Sequence, residues 1–375
     1  MSNIKWGTAF FLLFFISNFS NGQVEKETET SRYQGMNVGS ETRILDSRIN
    51  DKHYKLYVNL PKSYETNTDR KYPVLYALDG QYDFASIVSI QGSLRYDRRS
   101  PELIIIGVSY AGENPDYETL RANDMTPTVI PQIKNSGDAE KFTAVFRDEI
   151  IPFIDKEYRT QTENRTLTGT SLAGLYTHYA LFKANDLFHN FVICNPSYWY
   201  DNGHAFALER DYSKNNDSLN ANVFLVSGSM DGSVSLHHEM AEQIASRKYK
   251  GLHFESSISE GTGHSGAKAE GYTKGMLHSF KRRDIGLSEP QLQPYTGTYR
   301  FAPGNEVSLI IHEGQLAIAR LGNQMNLPIY ALTEDSFCLQ GGYNMFEFTK
   351  NDTGSVTRLT LEVGPDNVVS LEKVK

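Results

Sequence analysis

Short apolar runs alternate with segments of helical spacing over the first three quarters of the chain. Residues 72–78, 104–110 and 191–194 are almost continuously apolar, which is typical of strands buried on both faces of a sheet. Residues 175–182 have the apolar spacing of a buried helix. Because strands alternate with helices in this way, the pattern predicts an α/β fold with a mostly parallel central sheet over 41–283.

The pattern changes after residue 283. Residues 284–294 contain two prolines and are interpreted as a linker. The remainder, 295–375, consists of short alternating segments separated by turn residues. The strands predicted there are 298–301, 307–311, 315–319, 345–348, 356–361 and 368–371. This spacing predicts a small C-terminal domain that is an antiparallel β-sandwich or β-barrel.

The first residues of the chain have the order of features found in an export signal. Lys5 precedes an apolar run over 6–16, and small and polar residues follow as far as Gly22. A membrane-spanning helix needs about 20 apolar residues, so this run predicts export without a stable membrane span. We therefore predict a signal peptide over 1–22, a disordered leader over 23–40, and a secreted or periplasmic protein.

Composition narrows the class of partner. The 375-residue chain carries 37 Lys and Arg against 45 Asp and Glu, a formal net charge of −8, and it has no basic run with interleaved aromatic residues. Both features argue against nucleic acid as a partner. The two cysteines, Cys194 and Cys338, are interpreted as small buried apolar residues rather than as a disulfide.

The segment 169–174, Gly-Thr-Ser-Leu-Ala-Gly, lies between a predicted strand and a predicted helix. A catalytic serine on such a sharp turn needs small residues on both sides, so that strand and helix can approach closely. Gly169 stands two residues before Ser171, as the G-x-S-x-G pattern requires, whereas Ala173 stands where the second glycine is usual. Alanine is still small, so the segment predicts Ser171 as a nucleophile.

A nucleophilic serine needs a general base, and the base needs an acid that orients it. In α/β-hydrolases the acid and then the histidine follow the serine, each after the C-terminal end of a strand. Asp231 follows a predicted strand that ends at Gly228, and His264 lies in a loop of small residues after the next strand. Glu260 is the alternative acid, but it is too close in sequence to His264 to come from a separate strand end.

Three other histidines are interpreted as structural residues rather than as catalytic or metal-binding ones. His178 lies in the helix after the predicted nucleophile and is interpreted as a core or surface residue. His237 and His238, with Glu239 beside them, lack the Cys, His or Asp cluster that would complete a metal site. The sequence therefore predicts no metal site and no requirement for another cofactor.

An oxyanion hole needs backbone N–H groups directed at the developing negative charge. One donor is normally the residue after the nucleophile, here Leu172. The second is expected from the loop after an earlier strand, and the strand 72–78 ends in Asp79-Gly80-Gln81. Gly80 permits a sharp turn, so the amide of Gln81 is predicted as the second donor.

Several segments resemble the esterase D-like family of α/β-hydrolases, which includes siderophore, feruloyl and acetyl esterases. These segments are 56–64, 72–80, 104–110, 121–127, 137–158 and 195–200. The resemblance covers residues 41–283. It implies a serine esterase that works by way of an acyl-enzyme, with Ser171, Asp231 and His264 as its triad.

The resemblance also bears on the substrate. Residues 121–127, Arg-x-x-Asp-x-Thr-Pro, are similar to the siderophore-esterase branch, which implies that Arg121 faces an anionic catecholate complex; the alternative for Arg121 is a structural ion pair. Trp199 lies at a strand end that, in the family, is close to the acyl pocket, and it suits an aromatic or sugar ring as well as a plain core. The expected substrates are siderophore-type esters, small acyl esters and acyl groups on polysaccharides.

The C-terminal residues resemble the lipocalin-like β-domain that follows some secreted serine hydrolases. The likeness rests on Tyr295-x-Gly297-x-Tyr299 and on Phe346-x-Phe348. The role of this domain stays open between substrate contact, a lid and stabilisation.

Two functions other than hydrolysis are compatible with the sequence. One is a non-catalytic protein that binds a glycan or another ligand on a hydrolase scaffold, since a fold does not determine a function. The complete serine, aspartate and histidine set in the correct order argues against it. The other is acyl transfer to a sugar, which uses the same residues and is not separated from hydrolysis by the sequence.

Overall fold

The computed structural model describes residues 40–302, 305–320, 325–340, 342–364 and 367–374. The predicted signal peptide over 1–22 lies outside the described residues. The same is true of the predicted leader over 23–40, except for Ser40, which begins the first strand.

An eight-stranded sheet forms the centre of the larger part of the chain. Its strands are β1 (Ser40–Asp46), β2 (His53–Asn59), β3 (Tyr72–Ala77), β4 (Ile104–Tyr110), β5 (Thr160–Thr170), β6 (Asn190–Cys194), β7 (Ser218–Gly228) and β8 (Lys250–Ser259). Their order is β1-β2-β4-β3-β5-β6-β7-β8. The six strands β3 to β8 are parallel, whereas β1 and β2 form an antiparallel edge beside β4. The predicted mostly parallel α/β sheet is confirmed.

Helices cover both faces of this sheet. They are α1 (Gly80–Tyr96), α2 (Tyr117–Met125), α3 (Ala139–Val145), α4 (Ile151–Glu157), α5 (Leu172–Lys183), α6 (His204–Ser213), α7 (Val234–Arg247) and α8 (Lys268–Ser279). A π-helical turn, Phe146–Ile150, joins α3 to α4. Apolar residues of α1 and α8 pack on one face, and those of α2 to α7 pack on the other.

Strand β3 illustrates why the parallel strands are apolar throughout. Tyr72, Val74 and Tyr76 point to the core cluster that contains α2 to α7, whereas Leu75 and Ala77 point to the cluster beneath α1 and α8. Alternate side chains of a strand point to opposite faces, so a strand covered on both faces buries every residue. Burial on both faces therefore explains the continuous apolar runs of the sequence.

The C-terminal part is a closed antiparallel barrel. A short helix α9 (Glu289–Leu292) and a 3₁₀ turn (Gln293–Tyr295) occupy the stretch predicted as a linker. The barrel strands are β9 (Gly297–Ala302), β10 (Asn305–His312), β11 (Gln315–Ile318), β12 (Leu327–Ala331), β13 (Ser336–Leu339), β14 (Met345–Lys350), β15 (Val356–Gly364) and β16 (Asn367–Lys373). The prediction of a C-terminal β-domain is confirmed, and of the two forms left open the structure has the barrel.

Apolar side chains fill the inside of this barrel. Tyr295 lies 5.0 Å from Phe337 and 4.9 Å from Phe348 between ring centroids, and Leu292 of α9 joins the same cluster. Small barrels are commonly filled by side chains in this way. The interior is therefore a packed core that contributes to stability.

Both cysteines are buried free thiols, Cys194 at the end of β6 and Cys338 on β13. Burial raises the pKa of each thiol because the thiolate loses its hydration. Among the described residues, no helix combines the length and the apolar character needed to cross a bilayer.

His178 makes the stability of the fold depend on pH. Its ring on α5 is buried between Phe182 and Tyr198, with centroids 5.1 Å away in both cases. Burial lowers the pKa of His178 from 6.5 to about 4. Between these values the unfolded chain binds a proton that the folded chain does not, so the free energy of unfolding falls as the pH falls. At pH 5 we expect a loss of about 2 kcal/mol from this residue.

Urea unfolding followed by circular dichroism, at about pH 7.5 and about pH 5, measures this effect. In His178→Gln the difference in unfolding free energy between the two pH values should shrink by about 2 kcal/mol. His238 is exposed, so His238→Gln should keep the wild-type difference. His237 is also buried, with its pKa lowered to about 4, so part of the pH dependence should persist. An unchanged difference in His178→Gln would contradict the prediction.

Candidate active site

Ser171 occupies a strained turn between β5 and α5. Its backbone has φ 63° and ψ −119°, a conformation that residues with a side chain rarely adopt and that is common at functional sites. A Cβ on Gly169 would lie 2.5 Å from the carbonyl oxygen of Ala173, and one on Gly174 would lie 2.7 Å from that of Cys194. The turn therefore requires glycine at both positions, in agreement with the small residues noted in the sequence.

Asp231 and His264 are in direct contact. Asp231 follows β7 and His264 follows β8, and Oδ2 of Asp231 lies 2.5 Å from Nδ1 of His264. The Asp231 side chain is 6% exposed, whereas that of His264 is 49% exposed. Oδ1 of Asp231 accepts a hydrogen bond of 2.7 Å from the amide of Ser233, which fixes the carboxylate. The buried acid thus orients the imidazole, whose other ring nitrogen, Nε2, makes no hydrogen bond within the described part of the chain.

The segment after β6 connects the loops that carry all three residues. Nδ2 of Asn195 donates to the carbonyl oxygen of His264 over 2.7 Å, and Oδ1 of Asn195 accepts from the amide of Gly228 over 2.9 Å. Gly228 is the last residue of β7, before the Asp231 loop. A single buried asparagine therefore holds the histidine loop and the aspartate loop together.

The same segment holds the predicted nucleophile. The amide of Ser171 donates to the carbonyl oxygen of Cys194 over 3.2 Å, and the amide of Ser197 donates to the carbonyl oxygen of Ser171 over 3.1 Å. Oγ of Ser171 lies 3.3 Å from Oγ of Ser197. The structure thus pairs Asp231 with His264 and attaches Ser171 to the segment that fixes both of their loops.

The predicted oxyanion donors lie at two helix N-termini. Leu172 is the first residue of α5 and Gln81 is the second residue of α1. The first N–H groups of a helix have no partner within the helix, and the helix dipole favours negative charge there. A Cβ on Gly80 would lie 2.6 Å from the backbone of Gly107, so glycine is required at this turn. Both amides are therefore of the kind that can bind an oxyanion, and this role stays a prediction.

Gln81 has a second feature that the sequence did not reveal. Its side-chain Oε1 and Nε2 are both buried, and neither has a hydrogen-bond partner within the described part of the chain. A buried amide without partners is costly.

Arg121 forms an ion pair with Asp79. Its Nε lies 3.0 Å from Oδ1 and its Nη2 lies 2.6 Å from Oδ2 of Asp79, and both side chains are buried. Burial raises the pKa of Asp79, and the guanidinium of Arg121 opposes this rise. The pair fixes Asp79, whose φ of 53° places it in the left-handed region just before Gly80 and Gln81. Arg121 therefore holds the predicted oxyanion loop, and a direct contact with substrate stays a prediction.

The other polar residues of the 121–127 segment also have structural partners. Asp124 accepts hydrogen bonds from the hydroxyls of Tyr54, over 2.8 Å, and Tyr110, over 3.0 Å, and it pairs with Lys52. Thr126 accepts a hydrogen bond from the amide of Gly137 over 2.8 Å. The segment that resembles siderophore esterases thus takes part in a buried polar network.

Three exposed apolar side chains lie on the loops and helix starts at this edge of the sheet. Tyr82 follows β3, Trp199 follows β6 and Met230 follows β7, with exposed fractions of 53%, 51% and 74%. We call these three residues the apolar rim. The C-terminal ends of parallel strands meet at one edge, so the rim lies at the same edge as Ser171. A role of Trp199 in substrate binding stays a prediction.

His237, which was considered with His238 as a possible metal pair, has a structural contact instead. His237 is buried, and its Nδ1 lies 3.0 Å from Oγ of Ser227. In the described ranges of the chain, no group of three or more His, Cys, Asp or Glu residues is placed to hold a metal ion.

The comparison with protein families shows to which family the chain belongs. The model of the family described as "Putative esterase" matches residues 47–272, more than half of the chain. The chain belongs to this esterase family. It is accordingly a carboxylic ester hydrolase, and the match ends before the barrel begins at β9.

Relatives of this esterase support the assignment. It is 25% identical over 257 residues to the ferri-bacillibactin esterase BesA of Bacillus subtilis (strain 168), which covers 60% of this chain and 84% of the relative. It is 27% identical to the BES protein from Bacillus cereus, with a TM-score of 0.59 over 69% of this chain and 99% of that chain. An IroE-like serine hydrolase from Shewanella oneidensis, 24% identical with a TM-score of 0.60 over 68% of this chain and 84% of that chain, shares the fold.

Asn195 is a positioning residue that sequence reasoning missed, although an asparagine before a proline at a strand end was visible. Removing its amide in Asn195→Ala breaks the bonds to His264 and Gly228. Each of the two hydrogen bonds contributes about 1 kcal/mol, so we expect kcat for p-nitrophenyl acetate to fall about 30-fold, with KM little changed. Asn185 lies away from the site and bonds Tyr212, so Asn185→Ala is the matched control. Wild-type kcat in Asn195→Ala would contradict this role.

Proposed function

We propose that this esterase hydrolyses its substrate through a catalytic triad of Ser171, His264 and Asp231. The observation that carries the proposal is the 2.5 Å contact between Asp231 and His264, on loops tied to the segment that holds Ser171. The chain order of serine, aspartate and histidine is the order used by α/β-hydrolases. The strained backbone of Ser171 supports the same assignment, because it presents the hydroxyl at the end of the sheet.

In the proposed mechanism, Nε2 of His264 takes the proton of the Ser171 hydroxyl as Oγ attacks the ester carbonyl carbon. Asp231, bonded to Nδ1, holds the imidazole in the tautomer that leaves Nε2 free and stabilises the imidazolium. The amides of Leu172 and Gln81 bind the oxyanion, and each such donor contributes about 3–4 kcal/mol. The imidazolium gives its proton to the leaving alcohol. Water, activated by the same nitrogen, then hydrolyses the acyl-enzyme.

A fluorophosphonate probe, which reacts with activated serines, tests this proposal. We expect mass spectrometry of the labelled protein to place the adduct on the peptide that contains Ser171. His264→Ala should label much more slowly, since the serine then lacks its base. Protein unfolded by heat should not label. Ester hydrolysis by a protein whose adduct lies on another residue would overturn the triad.

The proposed substrate is a siderophore-type ester with aromatic acyl groups. The Bacillus subtilis relative, aligned over 84% of its length, is named as a ferri-bacillibactin esterase. The apolar rim of Tyr82, Trp199 and Met230 supports an aromatic substrate, because exposed aromatic rings at a site edge stack on flat rings.

The contribution of the rim is tested with two substrates. Trp199→Ala should lower kcat/KM for ferri-bacillibactin about fivefold, since an aromatic pair contributes about 1 kcal/mol beyond its buried area. Hydrolysis of p-nitrophenyl acetate, which has no aromatic acyl group, should not change. Tyr96 is another exposed aromatic residue, at the far end of α1, so Tyr96→Ala is the control. An equal loss for both substrates would contradict a contact with the aromatic acyl group.

We also propose that the enzyme acts outside the cytoplasm. The support is the sequence of 1–22, with Lys5 before the apolar run. Expression of the full chain in a Gram-negative host, followed by N-terminal sequencing of the periplasmic fraction, tests this. A mature chain that begins near residue 23 is expected, and an uncleaved cytoplasmic chain would overturn it.

A further inference from the structure

A cavity of about 640 Å³ opens at the edge of the sheet opposite to the active site. Its floor is formed by the N-terminal halves of β5, β6 and β7, whose C-terminal ends lead to Ser171, Asn195 and Asp231. One wall comes from 279–283, the last residue of α8 and the four residues after it, and another includes Tyr343 of the barrel. The cavity therefore shares no residue with the proposed catalytic machinery.

A row of asparagine side chains crosses the floor. Nδ2 of Asn222 donates to Oδ1 of Asn190 over 2.8 Å, and Nδ2 of Asn190 donates to Oδ1 of Asn164 over 3.1 Å. Nη2 of Arg283 donates to Oδ1 of Asn222 over 3.0 Å at one end of the row. Each amide is thus held in one orientation by its neighbour, which gives the floor a fixed set of polar groups.

The cavity is positively charged although the protein as a whole is negative. Lys71, Lys281, Arg282 and Arg283 all line it, and no carboxylate among the described residues forms an ion pair with any of the four. The fifth cation, Arg70, is neutralised by Glu102 at 3.0 Å. Glu163 is the single acidic side chain in the lining. The formal net charge of the chain is −8, so this concentration of cations is a local feature.

Two buried polar atoms of the lining also lack partners. Nδ1 of His189 and Oγ of Ser279 are inaccessible to solvent and make no hydrogen bond within the described part of the chain. Buried polar groups are nearly always satisfied. His189 and Ser279 therefore add two polar groups without protein partners to the lining that holds the four cations.

We propose that this cavity binds a small multivalent anion that carries phosphate, sulfate or carboxylate groups. Lysine and arginine form charge-assisted hydrogen bonds with such groups, and these are about twice as strong as neutral ones. The fixed amides of the asparagine row form hydrogen bonds with hydroxyl groups or other oxygen atoms of the ligand. The volume lies within the range of about 300–1,000 Å³ that is usual for small-molecule sites. The inference is independent of the proposed function.

The position of the site gives the barrel a role. The hydroxyl of Tyr343 donates to the carbonyl oxygen of Phe280, and the guanidinium of Arg282 lies 4.1 Å above the Tyr343 ring. A ligand held by Arg282 and Arg283 therefore sits where the barrel meets the catalytic domain. Bound anion should raise the thermal midpoint of the whole chain, because it stabilises both parts together.

Isothermal titration calorimetry of the full chain tests the proposal, with sodium pyrophosphate, sodium sulfate and sodium citrate as probes at a constant ionic strength set by sodium chloride. At least one probe should bind saturably, and the three probes distinguish phosphate, sulfate and carboxylate chemistry. Lys281→Ala and Arg283→Ala should each weaken the Kd about tenfold, since a hydrogen bond to a charged group contributes about 1.5 kcal/mol or more. Lys141 is exposed on α3, away from the cavity, so Lys141→Ala should bind as the wild type does.

Two further measurements separate this site from the active site. Ser171→Ala should bind the anion with unchanged affinity, and Lys281→Ala should hydrolyse p-nitrophenyl acetate at the wild-type rate. Absence of saturable binding for all three probes would overturn the proposal. An equal loss of affinity in Lys141→Ala would overturn it as well, because it would show attraction to overall charge rather than to the cavity.

Discussion

Ser171→Ala should lower kcat/KM for p-nitrophenyl acetate by at least about 10⁴-fold. The alanine variant has no Oγ to attack the ester, so no acyl-enzyme forms. The turn itself should persist, because its geometry depends on Gly169 and Gly174, and alanine adds no atom to it. The residual rate should reflect the oxyanion amides and substrate binding alone. Steady-state hydrolysis measured by p-nitrophenolate absorbance, with circular dichroism to verify the fold, gives the result.

Ser197→Ala is the matched control for this variant. Its hydroxyl lies 3.3 Å from that of Ser171. It forms no covalent intermediate in the proposed mechanism, so we expect a fall of less than about tenfold, the effect of one neutral hydrogen bond. If Ser197→Ala were the inactive variant and Ser171→Ala the active one, the assignment of the nucleophile would be wrong.

Asp231→Asn should lower kcat about 10⁴-fold at neutral pH, with KM much less affected. An asparagine at this position would donate a hydrogen bond toward Nδ1 of His264, which selects the tautomer with the proton on Nε2. That tautomer has no lone pair to accept the proton of Ser171. The variant also loses the negative charge that stabilises the imidazolium. The two residues are 2.5 Å apart, so the effect acts directly on the base.

The variant Glu260→Gln tests which of the two candidate acids, Asp231 or Glu260, orients His264. Glu260 is exposed and lies four positions before His264 in the same loop, whereas Asp231 makes the contact with the ring. We therefore expect the kcat of Glu260→Gln to remain at the wild-type value. A large loss of kcat in Glu260→Gln, together with wild-type kcat in Asp231→Asn, would show that Glu260 rather than Asp231 orients His264.

The sequence predicted the sheet and the candidate nucleophile because both depend on local patterns. Continuous apolar runs indicate strands covered on both faces, and small residues around Ser171 are required by backbone contacts within the same turn. Asp231 and His264 were located by their order after strand ends. Their contact follows from the parallel sheet, which brings the ends of β7 and β8 together.

Other features depend on contacts that no local pattern reveals. Arg121 and Asp79 are far apart in sequence. The sequence therefore left Arg121 open between a contact with an anionic substrate and a structural ion pair, and the fold shows the ion pair. Strands β12 and β13 were missed because each has only four or five residues and β12 contains Pro328, which weakens the pattern of a strand. The role of Asn195 required the positions of three loops at once.

The closure of the barrel has a consequence for folding. Every other pair of neighbouring barrel strands is consecutive in the chain, but β9 must meet β16, where Arg300 lies opposite Glu372. Joining distant ends carries the largest entropic cost of the eight pairings, so we expect the seam to form after the hairpins. A chain that loses β16 would leave β9 and β15 with unpaired edges. Such edges recruit strands of other molecules, and the last strand therefore protects the enzyme against aggregation.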